Sequence, residues 1–146
     1  MMKLNLTLLS FLVACGCTHT ARLARIGDLT ITMPPPFTVE QTATNDPAGD
    51  MVFSSWRSPS GEVVELMVWP DGPKVDRGPI IVATEEPLEV AGQQTKLVTT
   101  RVFFGSDQEA LVIHLRQGEA RYLVSAKGLS VKTFKDILKT LELSRK

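Results

Sequence analysis

The chain has 146 residues, of which 43% are hydrophobic and 22% charged, with 16 basic and 16 acidic side chains. This composition is typical of a single globular domain and excludes a collagen-like chain, a coiled coil and a polytopic membrane protein. A formal charge of zero leaves no basic field to neutralise a run of phosphates, so we expect no nucleic-acid partner.

An apolar segment follows the single charge of Lys3 and runs from residue 4 to residue 14. It is too short to span a hydrocarbon core of about 30 Å, but it suits the apolar region of a secretory signal peptide. A buried helix or strand is the structural alternative. The segment ends at the sequence Leu-Val-Ala-Cys, residues 12–15, which resembles the lipobox of bacterial lipoproteins.

This resemblance implies that Cys15 carries a diacylglyceryl group on its sulfur and becomes the first residue of the mature chain. Residues 1–14 are then the signal peptide, and two or three acyl chains together anchor the protein stably to a membrane. The residue after the cysteine is Gly16, not the Asp that retains such lipoproteins in the inner membrane of enteric bacteria. We therefore expect the outer membrane, with the protein facing the periplasm.

The remaining chain is predicted to divide into a lipidated tether, residues 15–25, and one globular domain, residues 26–143. Alternating apolar and polar residues over 28–33 predict a strand, which the prolines at 34–36 end. Thr, Asn, Asp, Pro and Gly dominate residues 41–50, which indicates a loop. This loop lacks the alternating carboxylates and closing Glu of an EF-hand, so we interpret it as a turn and not as a calcium site.

Residues 51–69 predict a β-hairpin closed by the three-residue loop Pro59-Ser60-Gly61. The loop pairs Ser58 with Glu62, and counting outward assigns the side chains to two faces. One face carries Val52, Ser54, Trp56, Val64, Leu66 and Val68. The other carries Met51, Phe53, Ser55, Arg57, Val63, Glu65, Met67 and Trp69.

Four residues of the second face form a candidate partner-binding patch: Met51, Phe53, Met67 and Trp69. Met and aromatic residues are enriched at protein interfaces, and a contiguous exposed apolar area needs a partner. The alternative is that the C-terminal helix or the connection that follows the hairpin covers these residues as ordinary core.

Residues 70–87 are predicted to be a long irregular connection with a short extended piece at 80–83. A short strand is expected at 88–90 and a longer one at 95–104, followed by a second hairpin of residues 110–116 and 119–126 around a turn at Gln117-Gly118. This turn places His114 opposite Arg121 and pairs Arg116 with Glu119. We interpret that side as a half-solvated sheet face with an ion pair.

The chain closes with an amphipathic helix. Ser130 is a suitable N-cap, and one apolar stripe recurs at three- and four-residue steps: Val131, Phe134, Ile137, Leu138 and Leu141. The order of elements predicts an α+β domain, a curved antiparallel sheet with a packed C-terminal amphipathic helix.

The globular part is similar to the PsbP-like and DcrB-like group of small lipoproteins and accessory proteins. Three segments carry this resemblance: residues 29–34 (LTITMP), 88–92 (LEVAG) and 134–141 (FKDILKTL). The resemblance implies a curved antiparallel sheet packed by helices, and it carries no residue-level function.

The sequence contains none of the common catalytic or nucleotide-binding motifs. Both cysteines lie near the N-terminus and the two histidines are far apart, so we expect no cofactor, no metal site and no enzymatic activity. The leading hypothesis is a lipid-anchored envelope protein that binds or assembles a protein partner. The alternative is an immunity or inhibitor lipoprotein that neutralises one toxin or hydrolase.

Overall fold

Two antiparallel sheets and one helix form the part of the chain that the computed structural model describes, which is residues 20–45, 49–72, 81–101 and 109–144. The strands and the helix follow in chain order: β1 (Arg22–Ile26), β2 (Leu29–Met33), β3 (Thr38–Asn45), β4 (Val52–Arg57), β5 (Val63–Trp69), β6 (Ile81–Val90), β7 (Gln93–Arg101), β8 (Glu109–Gln117), β9 (Ala120–Lys127), α1 (Val131–Leu138) and β10 (Glu142–Leu143).

The strand order is β1-β2-β10 in the small sheet and β3-β4-β5-β9-β8-β7-β6 in the large one. All strand pairs within both sheets are antiparallel. This architecture confirms the predicted α+β class, a mainly antiparallel structure closed by one C-terminal helix.

The core lies between one face of the large sheet and a layer made of α1 and the small sheet. Buried residues of all three parts form one cluster. The large sheet contributes Trp56, Leu66, Ile113 and Val124. The small sheet contributes Leu29, Ile31 and Met33, and the helix contributes Phe134, Ile137 and Leu138. We call the opposite side of the large sheet its outer face.

The helix begins where the sequence predicts, after Ser130, but it ends at Leu138, so Leu141 of the predicted stripe lies beyond it. The Ser130 hydroxyl accepts a hydrogen bond from the backbone N–H of Thr133 at 3.1 Å, which is the N-cap geometry. Phe134, Ile137 and Leu138 bury the apolar stripe, whereas Val131 at its start is exposed.

The predicted register of the first hairpin is confirmed. Trp56 lies opposite Val64, and Phe53 lies opposite Met67. The backbone N–H of Ser58 donates to the Glu62 carbonyl at 2.9 Å, and Gly61 at φ 92° supplies the left-handed residue that the three-residue loop requires.

The turn of the second hairpin lies one residue later than predicted. Arg116 is opposite Arg121 and His114 is opposite Leu123, so the expected pairs of His114 with Arg121 and of Arg116 with Glu119 are wrong. The Arg121 guanidinium donates instead to three backbone carbonyls of the turn. The partners shift by two residues, which keeps each side chain on its predicted face because side chains alternate with a period of two.

Two strands occupy segments that the sequence indicated as loops. β3 covers the first half of the expected 41–50 loop, and β6 begins at Ile81, in the extended piece expected at 80–83, and continues through the end of the expected connection to Val90. Both are edge strands of the large sheet. An edge strand tolerates Pro87 because only one side of its backbone must pair.

The globular part also begins earlier than predicted. β1 starts at Arg22, so the last residues of the expected tether belong to the small sheet. Ala24 and Ile26 are buried in the core, and this burial stabilises a strand whose other residues are exposed.

Candidate functional site

Three apolar side chains lie side by side on the outer face, across three neighbouring strands. Phe53 on β4 is opposite Met67 on β5, and Met67 is opposite Leu123 on β9. Each of the three is half-buried. We call Phe53, Met67 and Leu123 the apolar row.

The other two residues of the predicted patch are more deeply packed. The register places Trp69 on the same face as Met67, but Trp69 is only 8% exposed and Met51 only 9%. Phe53, Met67 and Trp69 thus share one face, whereas Met51 precedes β4, and the accessible part of the patch is centred on Phe53 and Met67. These two residues, together with Leu123, keep part of their side-chain surface exposed.

Basic side chains border the apolar row on β8 and β9. His114 is opposite Leu123 and continues the row, while Arg116 and Arg121 face each other one step further along the hairpin. His114 is partly exposed, and partial desolvation by its neighbours lowers its pKa, so the imidazole stays neutral to lower pH than it does in water. Arg121 is opposite Trp69 on its other side, which brings this basic pair next to the predicted patch.

A charged cleft lies on the outer face near the loop end of the first hairpin. The β3–β4 register is irregular between Val39 and Gln41, and the Glu40 carboxylate there receives a hydrogen bond from Arg57 Nε at 2.7 Å. Such a bulge redirects a side chain at the sheet edge. The Arg57 guanidinium lowers the pKa of Glu40, and Glu40 in turn raises the pKa of Arg57.

A second ion pair lines the same cleft. Lys127 Nζ on β9 lies 3.8 Å from the Glu65 carboxylate on β5, which also accepts a hydrogen bond from Ser125 at 3.2 Å. The volume of the cleft is about 640 Å³. Its lining comprises Glu40, Arg57, Gly61, Val63, Glu65, Glu109, Lys127, Gly128 and Leu129.

These two features suit the binding of another molecule's surface. An apolar centre with charged and polar side chains around it is the usual composition of a protein interface. Within the described ranges, no group of three or more His, Cys, Asp or Glu side chains is placed to hold a metal ion. The predicted lipidation site Cys15 lies outside the described residues.

Several residues of this face were missed by the sequence analysis. Leu123 was assigned to the second hairpin alone, and Glu40, Glu109 and Lys127 were not linked to any site. Leu123 and Lys127 meet the first hairpin because β5 pairs with β9, strands more than fifty residues apart in the chain, whereas Glu40 meets it through the irregular pairing of β3 with β4. No local pattern in the sequence marks that pairing.

The fold, by contrast, has a known counterpart. No protein-family model and no curated protein matches the sequence. The structure is similar to the solution structure of cyanobacterial PsbP (CyanoP) from Synechocystis sp. PCC 6803, with a TM-score of 0.57 and 13% sequence identity. The match covers 91% of this chain and 99% of that one. The chain therefore has a PsbP-like fold.

No helix within the described ranges is long and apolar enough to cross a membrane.

Proposed function

We propose that this protein is a lipid-anchored lipoprotein of the bacterial cell envelope that acts as a non-enzymatic binding or assembly accessory protein. The anchor is the lipidated Cys15, in the outer membrane and facing the periplasm. The partner is another envelope protein, which contacts the apolar row and its charged surroundings.

The apolar row is the observation that carries this proposal. The core face of the large sheet is covered by α1 and the small sheet, whereas Phe53, Met67 and Leu123 on the outer face stay partly accessible. Arg116 and Arg121 lie on one side of the row, and the cleft with Arg57 and Glu40 lies on the other. Aromatic, Met and Arg side chains are the types enriched at protein interfaces.

The PsbP-like fold supports an accessory role. The fold is shared across 91% of the chain, and the group that the sequence resembles consists of small lipoproteins and accessory proteins. Fold alone does not define an activity, so the proposal depends on the outer face and on the anchor.

Site-specific photocrosslinking in cells of the source bacterium tests the partner. A photoreactive amino acid replaces Met67 in the full-length chain, and the matched control replaces Lys132, which is exposed on α1. We expect one discrete adduct with an envelope protein at position 67 and none at position 132. The adduct is expected to weaken when Phe53→Ser is added, because Phe53 is the cross-strand neighbour of Met67.

Two outcomes would contradict the proposal. One is the absence of an adduct at position 67, and the other is the same adduct at both positions. If the crosslinked protein is a toxin or hydrolase that loses activity in the complex, the result supports an inhibitor in place of an assembly factor.

Intact-mass measurement of membrane-extracted protein tests the anchor. We expect a chain that lacks residues 1–14 and carries acyl groups at Cys15. A mature chain that retains Met1, or a Cys15→Ala variant that still fractionates fully with membranes, contradicts lipidation.

A further inference from the structure

β1 is an edge strand that pairs on one side only. The small sheet has the order β1-β2-β10, and β1 pairs with β2 over all five of its residues without a register shift. Leu23 on β1 is 67% exposed, the highest value among the exposed large hydrophobic residues in the described part of the chain. We call the side of β1 that faces away from β2 the free edge; it is regular and accessible.

The backbone of β1 directs unpaired polar groups along the free edge. Thr32 on β2 donates its N–H to the hydroxyl of Thr140, just before β10, at 3.0 Å. In an antiparallel pair, two opposite residues either exchange both backbone hydrogen bonds or point both sets of groups outward. Leu23 is opposite Thr32, so its N–H and C=O point away from β2, and those of Arg25 do the same two residues later. Within the described residues, these four groups have no hydrogen-bond partner.

The other edges of the described sheets are protected against strand addition. β6 contains Pro87 and a register shift, β3 has two register shifts, and β10 has only two residues. Prolines, bulges and short length are usual devices that keep an edge strand from pairing with another chain. β1 has neither a proline nor a register shift, so its free edge can pair with a further strand.

The free edge faces the β3 side of the large sheet. β1 contacts β4 and β5, whereas the carbonyl of Ser144, directly after β10, accepts a hydrogen bond from Gln117 on β8. The small sheet thus extends from β4 and β5 toward β8, and a strand added to β1 lies over β3. Val39 on β3 shares the core face with Trp56 but is 42% exposed, so this part of the core face is not fully covered.

Arg25 gives the free edge a positive charge. It lies on the same side of β1 as Leu23, and its Nε donates to the Gly27 carbonyl at 3.3 Å. Arg25 forms no ion pair within the described residues. Glu142 shares this face, but it lies two strands away, with Thr30 between it and Arg25. A strand added to β1 is directly next to Arg25 and three strands from Glu142, so an acidic side chain on that strand is favoured.

We propose that the free edge of β1 binds an extended segment of a protein partner as an added strand of the small sheet. The segment exchanges backbone hydrogen bonds with Leu23 and Arg25, which is how strand addition supplies affinity. One acidic side chain of the segment lies beside Arg25, and an apolar one covers Leu23. On its other face the segment places apolar side chains over Val39.

This binding surface is separate from the apolar row. The small sheet packs on the core face of the large sheet, whereas Phe53, Met67 and Leu123 lie on the outer face. Both surfaces can therefore be occupied at the same time. The strand addition depends neither on the lipid anchor nor on the partner of the apolar row.

Site-specific photocrosslinking of the full-length chain in cells tests the partner. A photoreactive amino acid replaces Leu23, and the matched control replaces Val131, which is an exposed apolar residue on α1. Mass spectrometry then identifies the peptide of the partner that is attached. We expect one adduct at position 23, to a single segment that contains an acidic residue, and none at position 131.

Charge substitutions test the role of Arg25. Arg25→Glu is expected to reduce the yield of the adduct about fivefold, because an opposite-charge cross-strand pair becomes a like-charge pair. Changing the acidic residue of the attached segment to lysine is expected to restore the yield with Arg25→Glu. The matched control Lys132→Glu, at an exposed position on α1, is expected to leave the yield unchanged.

Hydrogen exchange measured by NMR tests the backbone pairing. In the free protein, the amides of Leu23 and Arg25 are expected to exchange faster than that of Ala24, which bonds to β2. The probe is a synthetic peptide with the sequence of the attached segment. When it occupies about nine-tenths of the protein, exchange at Leu23 and Arg25 is expected to slow about tenfold.

Four results overturn the strand addition. They are no adduct at position 23, equal adducts at positions 23 and 131, an adduct that Arg25→Glu leaves unchanged, and a peptide that binds without slowing exchange at Leu23 and Arg25. Each of them leaves the proposed function intact, because that function depends on crosslinking at position 67 and on the mass of the chain at Cys15.

Discussion

Replacing Trp69 with Ala distinguishes packing from binding on the outer face. Trp69 is only 8% exposed, so it loses nearly all of its contact with water on folding. A Trp side chain buries about 150–250 Å², and at about 25 cal/mol per Å² this area corresponds to roughly 4–6 kcal/mol. Residual burial in the unfolded chain reduces the figure, and Trp-to-Ala substitutions in cores cost about 3–5 kcal/mol.

Urea denaturation of a soluble form that begins at residue 16, followed by circular dichroism, measures this loss. We expect Trp69→Ala to lower the free energy of unfolding by about 3–5 kcal/mol, a large part of the roughly 5–15 kcal/mol of an ordinary domain. The control is Val82→Ala on β6, at a position that is 47% exposed, where the change is expected to stay within about 0.5 kcal/mol. A loss below about 1 kcal/mol for Trp69→Ala would refute the packing argument.

Three further predictions concern single contacts. Tyr122→Phe is expected to cost about 1 kcal/mol in urea denaturation, because the Asp28 N–H loses its 3.2 Å hydrogen bond to the phenol oxygen; an unchanged midpoint contradicts this. Ser130→Ala is expected to cost about 1 kcal/mol by removing the N-cap of α1, and Ser130→Asp should restore stability. Burial lowers the pKa of His114, so its neutral form stabilises the fold above about pH 6.5. This stability is lost as the pH falls through the lowered pKa. The substitution His114→Gln should reduce the fall in stability over that range.

Local signals in the sequence were sufficient to predict the register of the first hairpin and the start of the helix. The loop at Pro59-Ser60-Gly61 determines which residues pair, because a turn type permits only one register, and Phe53 and Met67 were placed together on that basis. The helix start at Ser130 follows from a side-chain oxygen that caps a free backbone N–H.

The second hairpin shows the limit of such signals. Gly118 has a left-handed backbone conformation, at φ 59°, but it serves equally as the second residue of one two-residue turn or the first residue of the next. The sequence favoured the turn Gln117-Gly118, whereas the chain pairs these strands around Gly118-Glu119. Each side chain kept its predicted face because the cross-strand partners moved by two residues. The predicted cross-strand partner of His114, however, was wrong.

By itself, the sequence determined the α+β class, the register of the first hairpin and the grouping of Phe53 with Met67. Each depends on residues close together in the chain, where turn chemistry and side-chain periodicity act directly. Only the tertiary structure decided that Leu123 completes the apolar row, that Glu40 and Lys127 line one cleft, and that the Arg22–Ile26 segment is a strand. These features depend on burial and on pairing between distant strands, whose free energy arises only when the core forms.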